Sequence, residues 1–334
     1  MSAASRPNLL LTLAIGDYDH VRDLISGAVE VQGLDLTCLR FSVEETFFRF
    51  ARYREWDISE FSLAKYCSLR ASGDDSITAI PVFPSRSFRH AAIFVRPDGP
   101  VDDPAALAGG RIGIPEWTQT ATVYARGALE HSYGLDLKTI EWFQGGVNQP
   151  GRIEGIALKA PEGISLTAVP DRTLTDMLLA GELDAVIAAH PPSEFEQRTG
   201  RVVRLFSDYR GVEEAYYRDT GIFPIMHVVA IRADVVADHP WVAMNLYTGL
   251  REAKRRSLER AFDDNAPKYP IPWSTSNAER AQQLFGPDIW PYGIEENRTT
   301  LAAFLGYAYE QGVCARRLTP EELFAPQVSE EFRI

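Results

Sequence analysis

Residues 111–134 read RIGIPEWTQTATVYARGALEHSYG, and this stretch is one strand–loop–helix unit. Arg111–Pro115 is a short apolar run of the kind that forms a buried strand. From Thr120 onward, Ala121, Ala125, Ala128 and Leu129 fall on one helical face, and Gly134 supplies the stop. Glu116, Trp117, Thr118, Gln119 and Thr120 fill the turn between strand end and helix start. A strand feeding a helix in this way is the building unit of α/β proteins, and its connecting loop is where such folds place ligands.

Similar units recur on both sides. Leu9–Ile15 reads as a buried strand, followed by the polar loop Gly16 to His20 and a helix to about Gly27. Leu34–Phe41 is a second strand. Val43, Phe47, Phe50 and Arg54 then take helical spacing behind Ser42, an N-cap with Glu45 at the capping-box offset. Asp57–Phe61 and Ile77–Phe83 read as strands around a helix that starts near Ser62, and Ala91–Arg96 as a strand after the corner Pro81-Val-Phe-Pro84. Further along, Leu174 to Leu179 is a helix ending at Gly181, and Leu183–Ala189 and Ile225–Arg232 are strands. Beyond Pro240 the chain turns helical. Val242, Leu246, Leu250, Ala253 and Leu258 form an apolar stripe, with Arg251, Lys254, Arg255, Arg256 and Arg260 expected on the outside.

The Pro-, Gly- and Asp-rich stretch 97–110 and the turn Thr220-Gly-Ile-Phe-Pro224 mark two crossings between domains. They predict a discontinuous first domain, 1–96 plus 226–334, and an α/β domain, 97–225, inserted into it, with a ligand cleft between the two. At about 150 residues per domain, 334 residues agree with two. With 34 Lys and Arg against 46 Asp and Glu, the net charge of −12 disfavours nucleic acid and anionic membrane surfaces as partners. Cys38, Cys67 and Cys314 lack metal or redox spacing and fit reduced residues. The run Leu9–Ile15 meets Gly-Asp-Tyr-Asp without a small-x-small cleavage pattern, so a cytoplasmic protein is expected.

No Walker loop, GxGxxG, GxSxG or HExxH is present, which removes the main support for kinase, dehydrogenase, lipase-type and zincin chemistry. What remains lies at strand ends. Asp17, Tyr18, Asp19 and His20 follow the first strand, where they either line a site or cap a helix. Arg86, Arg89 and His90 sit at a crossing and suit either a bidentate anion clamp or interdomain ion pairing. In the 116–120 loop, backbone N–H groups favour a carboxylate and Trp117 suits an aromatic ring, while Thr118 or Thr120 could equally cap the helix. Arg126 lies further along that helix, on a face expected to be exposed. His190 ends a strand. His227 sits among apolar residues and gains interest only if it shares the hinge with His90. A metal held by His20, His90 and His227 with Glu60 or Asp19 has no support from spacing.

Several segments together resemble the 4,5-dihydroxyphthalate decarboxylase family. They are GDYDH at 16–20, EETFFRF at 44–50, SEFSLAKY at 59–66, PVFPSRSFRH at 81–90 and RIGIPEWTQTATVYARGAL at 111–129, continued by TGIFPIMH at 220–227, DIWPYGIEENR at 288–298 and ELFAP at 322–326. The resemblance implies the two-lobed fold of type 2 periplasmic solute-binding proteins and the conversion of 4,5-dihydroxyphthalate to protocatechuate and carbon dioxide. It implies no redox cofactor and leaves room for a divalent metal chelated by the two hydroxyls. The expected partner is a small anionic aromatic substrate, and the expected assembly a homo-oligomer.

Such a reaction needs a proton donor, a group that polarises the para hydroxyl, and cations for the carboxylates. Arg86, Arg89 and Arg126 are the expected cations, with Phe88 and Trp117 packing on the ring. His20, His90 or His227 would move the proton, oriented by Asp19 or Glu116; His20 leads for its polar loop, and Glu116 is the acid if all three fail. Tyr292 and Arg298 could reach the cleft from the C-terminal helices. The competing class is a solute-binding protein for an aromatic or other small organic anion, and a third reading is a sensor or synthase on the same fold.

Overall fold

The computed structural model describes residues 7–152 and 160–329. The chain opens with β1 (Leu9–Ala14), α1 (Asp19–Ile25), β2 (Leu34–Leu39), α2 (Val43–Tyr53), β3 (Ile58–Ser62), α3 (Leu63–Ala71) and β4 (Ile77–Ile80). Next come β5 (Ile93–Val95), β6 (Arg111–Ile114), α4 (Thr120–Tyr133), β7 (Glu141–Gln144), β8 (Ser165–Ala168), α5 (Leu174–Leu179) and β9 (Ala185–Ile187). After α6 (Ser193–Glu196), β10 (Val203–Arg204) and α7 (Tyr209–Thr220), β11 (His227–Arg232) returns to the first sheet. The remainder is helical: α8 (Ala233–Asp238), α9 (Trp241–Ala261), α10 (Ser274–Phe285), α11 (Arg298–Glu310) and α12 (Pro326–Ser329).

Two sheets result, ordered β2-β1-β3-β11-β4 and β10-β5-β9-β6-β7-β8. The neighbours of β1 in the first sheet, and of β6 and β7 in the second, run parallel. Each sheet also takes one strand antiparallel to its neighbours. β11 lies between β3 and β4, and β5 lies between β9 and β10. These two strands sit beside the segments that pass from one lobe to the other, and Arg86 and Ile225 form an antiparallel bridge where the passing segments meet. The strand read as Ala91–Arg96 and assigned to the first domain is β5, whose backbone pairs with β9 of the second sheet. The outward crossing is therefore residues 81–92, ahead of that strand rather than after it.

Local chemistry explains the elements. The Ser42 hydroxyl accepts from Glu45 N at the start of α2, and Ser62 does the same for Lys65 N at α3. Gly134 and Gly221 end α4 and α7 in the left-handed conformation. All five residues of β3 are buried, as a strand flanked on both sides and covered on both faces requires. In α9 the stripe Val242, Leu246, Leu250 and Ala253 is fully buried and packs toward α1. Lys254 departs from the expected outer face. It is buried, its Nζ 2.5 Å from Asp288 and 4.8 Å from the ring centre of Tyr292. No helix among the described residues is long and apolar enough to cross a membrane.

α4 and α11 approach closely at Gly127. A Cβ there would stand 2.4 to 2.7 Å from ring atoms of Tyr307. Gly127→Ala should destabilise the protein by about 1–3 kcal/mol, the usual cost of overpacking a filled contact. Urea unfolding measures this directly, and an unchanged midpoint would show that the two helices can separate freely.

Candidate active site

Glu60 is an acid in the middle of an otherwise apolar buried strand, and it organises one wall of the cleft. Its Oε2 accepts from Gly16 N at 2.8 Å; its Oε1 accepts from Tyr18 Oη at 2.7 Å and from His227 Nδ1 at 2.6 Å. The register explains the reach: His227 stands opposite Ser62 and Val229 opposite Glu60, so Glu60 and His227 are diagonal neighbours on one face of the sheet. Burial by itself would raise the Glu60 pKa. The His227 hydrogen bond and charge, with the Tyr18 and Gly16 hydrogen bonds, overcome it and hold the carboxyl below its ordinary value. The Tyr18 phenol moves the other way, pushed up by burial and by the Glu60 charge. An ionised Glu60 can only accept, so His227 donates from Nδ1. Its Nε2 has no hydrogen-bond partner among the described residues. Phe47 of α2 stands edge-on to that ring, with centroids 4.8 Å apart.

The second lobe meets this wall through polar contacts. Ser62 Oγ and Thr120 Oγ1 lie 3.0 Å apart, and Ala64 N donates to the same Thr120 oxygen. Glu116 takes Lys65 Nζ of α3 at 3.2 Å on one oxygen, and Arg152 Nη2 and Nε at 2.7 and 2.9 Å on the other. One turn before Phe47 on α2, Glu44 pairs with His190 across the cleft at 2.9 Å. A cavity of about 400 Å³ opens at the carboxyl ends of β6, β7 and β9, lined by Gln119, residues 146–151, Arg152 and His190. Its turn depends on Gly146, where a Cβ would stand 1.6 Å from Gln149 O.

Other expected site residues are engaged elsewhere. Asp19 accepts from Ser257, Tyr269 and Arg260 at 2.6, 2.5 and 3.1 Å, so it ties α1 to α9 instead of orienting a histidine. Burial opposes its ionisation, but those three hydrogen bonds keep its pKa below the ordinary value. Trp117 is fully buried, its indole N–H on Gln311 O and its face under the Arg126 guanidinium at 3.8 Å, which leaves no face for a substrate ring. Arg126 is fully buried rather than exposed and holds Gln311 Oε1 and Trp117 O. Thr118 is buried beside them. Arg86 donates to Phe223 O, Pro291 O and Asn297 Oδ1, so its fork is occupied by the hinge. Burial lowers its pKa to about 10.

Arg89 is half-buried against Met226 Sδ at 3.2 Å and forms no ion pair among the described residues. Burial brings it too down to about 10. Phe88 stacks on Phe223, with Phe285 beyond. Tyr292 is buried under Lys254, and Arg298 makes surface pairs with Glu295 and Glu321.

Of the three candidate histidines, His20 and His227 both border the Tyr18–Glu60 pair, while His90 has other neighbours. His20 lies between Tyr18 and Trp290, and its buried Nε2 finds no partner among the described residues. His90 sits among Tyr133, Phe206 and Tyr216 with both ring nitrogens unpartnered there. Among the described residues, the group of metal-ligating side chains that does gather is Glu130, His131 and Glu310, near the ends of α4 and α11. Sequence reasoning grouped Glu60 with His227 only as a metal site, left Tyr18 unconnected to them, and passed over Lys65 and Arg152. The available signal was an acid inside the apolar strand ISEFS.

Two α/β lobes, two passing segments and a polar cleft define a protein of the periplasmic-binding-protein-like class. No protein-family model matches the sequence. It is 40% identical to the 4,5-dihydroxyphthalate decarboxylase of Comamonas testosteroni over 327 residues, 98% of this chain and 99% of that one. It is 41% identical to the protein of the same name from Pseudomonas putida over 211 residues, 63% of this chain and 82% of that one. The chain belongs to the 4,5-dihydroxyphthalate decarboxylase family. Among solved structures, a putative periplasmic sulfonate-binding protein SsuA from Methylobacillus flagellatus KT aligns with TM-score 0.57 and 14% identity, covering 96% of this chain and 92% of that one. The Escherichia coli aliphatic sulphonate binding protein SsuA gives 0.54 at 12% identity, with 97% and 99% covered. The desulfurization enzyme DSZB gives 0.51 at 15%, with 97% and 98% covered. These structural likenesses establish the fold.

The buried histidines make a test of stability against pH. Burial depresses His20 and His90 from 6.5 to about 4 in the folded chain. Stability from keeping them neutral is complete above about 6.5 and is lost as the pH falls through about 4, because the unfolded chain binds the protons first. The urea midpoint should fall between pH 6.5 and 4, and His90→Phe should flatten that slope. An equal slope in the variant would mean that His90 is already charged in the folded protein.

Proposed function

We propose that the chain decarboxylates 4,5-dihydroxyphthalate to protocatechuate and carbon dioxide, with His227 carrying the proton and Glu60 holding it in place. The observation that carries this reading is the 2.6 Å His227–Glu60 hydrogen bond, which fixes the ring through Nδ1 and leaves Nε2 as its free end. Family membership supplies the reaction class.

The chemistry fits such a group. Each carboxylate of the substrate has a hydroxyl para to it. Protonation of the ring carbon that bears the carboxylate makes a cation stabilised by the para oxygen; the C–C bond then breaks, its electron pair returns to the ring, and carbon dioxide leaves. One proton is consumed and no electrons are exchanged with an outside partner. An imidazole hydrogen-bonded through Nδ1 to a fixed carboxylate is held in one orientation throughout, as a group that moves a proton to carbon must be. Phe47 against the ring and the buried Glu60 limit competition from water. His20, its ring nitrogen buried and its pKa pushed down to about 4, is poorly suited to deliver a proton near neutrality.

His227→Gln should keep substrate binding and lose ~10²-fold or more in turnover, and Glu60→Gln should lose less, since the imidazole survives without its anchor. Calorimetry for binding and single-turnover product formation measure the two effects separately. Normal turnover in folded His227→Gln would remove His227 from the mechanism. Substrate binding by the wild-type chain without any product would favour solute capture over catalysis.

A further inference from the structure

We propose that Lys65 and Arg152 are the cations that grip the substrate's neighbouring carboxylates, and that Glu116 is an internal stand-in which occupies them until substrate displaces it. The proposal rests on reading this cleft as the substrate site. Its ground is a carboxylate clasped from both lobes: Lys65 comes from α3, beside the first sheet, while Arg152 follows β7 of the second and meets Glu116 with two nitrogens. An arginine fork with an ammonium opposite is the arrangement a bound carboxylate requires. Here the protein's own acid fills it.

Accessibility separates these cations from those expected on sequence grounds. The Lys65 and Arg152 side chains are 21% and 33% exposed, whereas Arg126 is fully buried and Arg86 is occupied by hinge oxygens. Arg152 also lines the 400 Å³ cavity, whose lining includes no acidic side chain. An anion entering there meets Glu116 as its competitor. Glu116 faces two cations, and the other acid near Arg152, Glu44, is already paired with His190.

The number of charges then sets the selectivity. An ortho dicarboxylate offers one anion to each cation and outcompetes Glu116. After carbon dioxide leaves, the product retains one carboxylate for two cations, so Glu116 regains a partner and helps expel it. Glu116 is thus a specificity residue acting through Lys65 and Arg152.

Calorimetry with phthalate and benzoate tests this without turnover, since neither carries the para hydroxyl that the reaction needs. Wild-type protein should prefer phthalate. Glu116→Gln should bind both acids more tightly, by about fivefold, as a competing charge is removed. Arg152→Gln, at a partly exposed side chain that folding tolerates, should weaken phthalate by about tenfold and narrow its advantage over benzoate. Lys65→Gln should do likewise. Weaker phthalate binding in Glu116→Gln, or unchanged affinities in both Arg152→Gln and Lys65→Gln, would overturn the proposal. The outcome is separable from the proposed reaction: the expected affinities in a protein that makes no protocatechuate would sink the reaction and keep the grip. Turnover with affinities indifferent to all three substitutions would do the reverse.

Discussion

The Arg86 guanidinium holds the hinge together. It is buried, and a buried charge persists only where polar groups surround it. Phe223 O on one passing segment and Pro291 O and Asn297 Oδ1 in the C-terminal region supply them at the two terminal nitrogens, while the Arg86 main chain bridges to Ile225. Met226 N donates to Ser85 O next to this bridge, and His227 is the following residue. The position of His227 against Glu60 is therefore set by the hinge. The arginine that looked like an anion clamp fixes the strand that carries His227 instead.

Three histidines of one chain show how environment separates identical side chains. His20 and His90 are enclosed by aromatic rings that leave Nε2 of His20 and both nitrogens of His90 without a partner among the described residues, and burial drives both toward neutrality. His227 has an aromatic ring at one edge and an ionised carboxylate at Nδ1. A carboxylate deep in a strand is costly to bury. Glu60 persists because its oxygens take three hydrogen bonds, two of them from the loop after β1 and its start.

Much of this architecture was legible in local pattern. The unit at 111–134, the Ser42 cap, the stop at Gly134 and the core stripe of α9 follow from periodicity and capping alone. The strand at 91–96 was visible, but its sheet was not, because Ile93 pairs with Ile187 some ninety residues away and alternation carries no record of its partner. β8 escaped notice since it is a mostly exposed strand at a sheet edge, with no apolar alternation to mark it. At the site, residue type misled wherever burial reversed the expected role. Trp117 and Arg126 stack on each other inside the protein, Lys254 turns inward to Asp288, and Asp19 faces a helix. Lys65 and Arg152 are separated in sequence, and only folding brings them to one carboxylate.

The placement of β11 also bears on the order in which the molecule can be made. Every strand of the second sheet comes from residues 93–204, an uninterrupted piece of chain. The first sheet holds a vacancy between β3 and β4 that only residues 227–232 can fill. A ribosome working from the N-terminus thus delivers four strands that cannot yet close into one sheet. The lobe inserted in the sequence can finish pairing before the lobe that was begun first. His227 is the first residue of the closing strand, so the partner of Glu60 arrives with the piece that completes the N-terminal lobe.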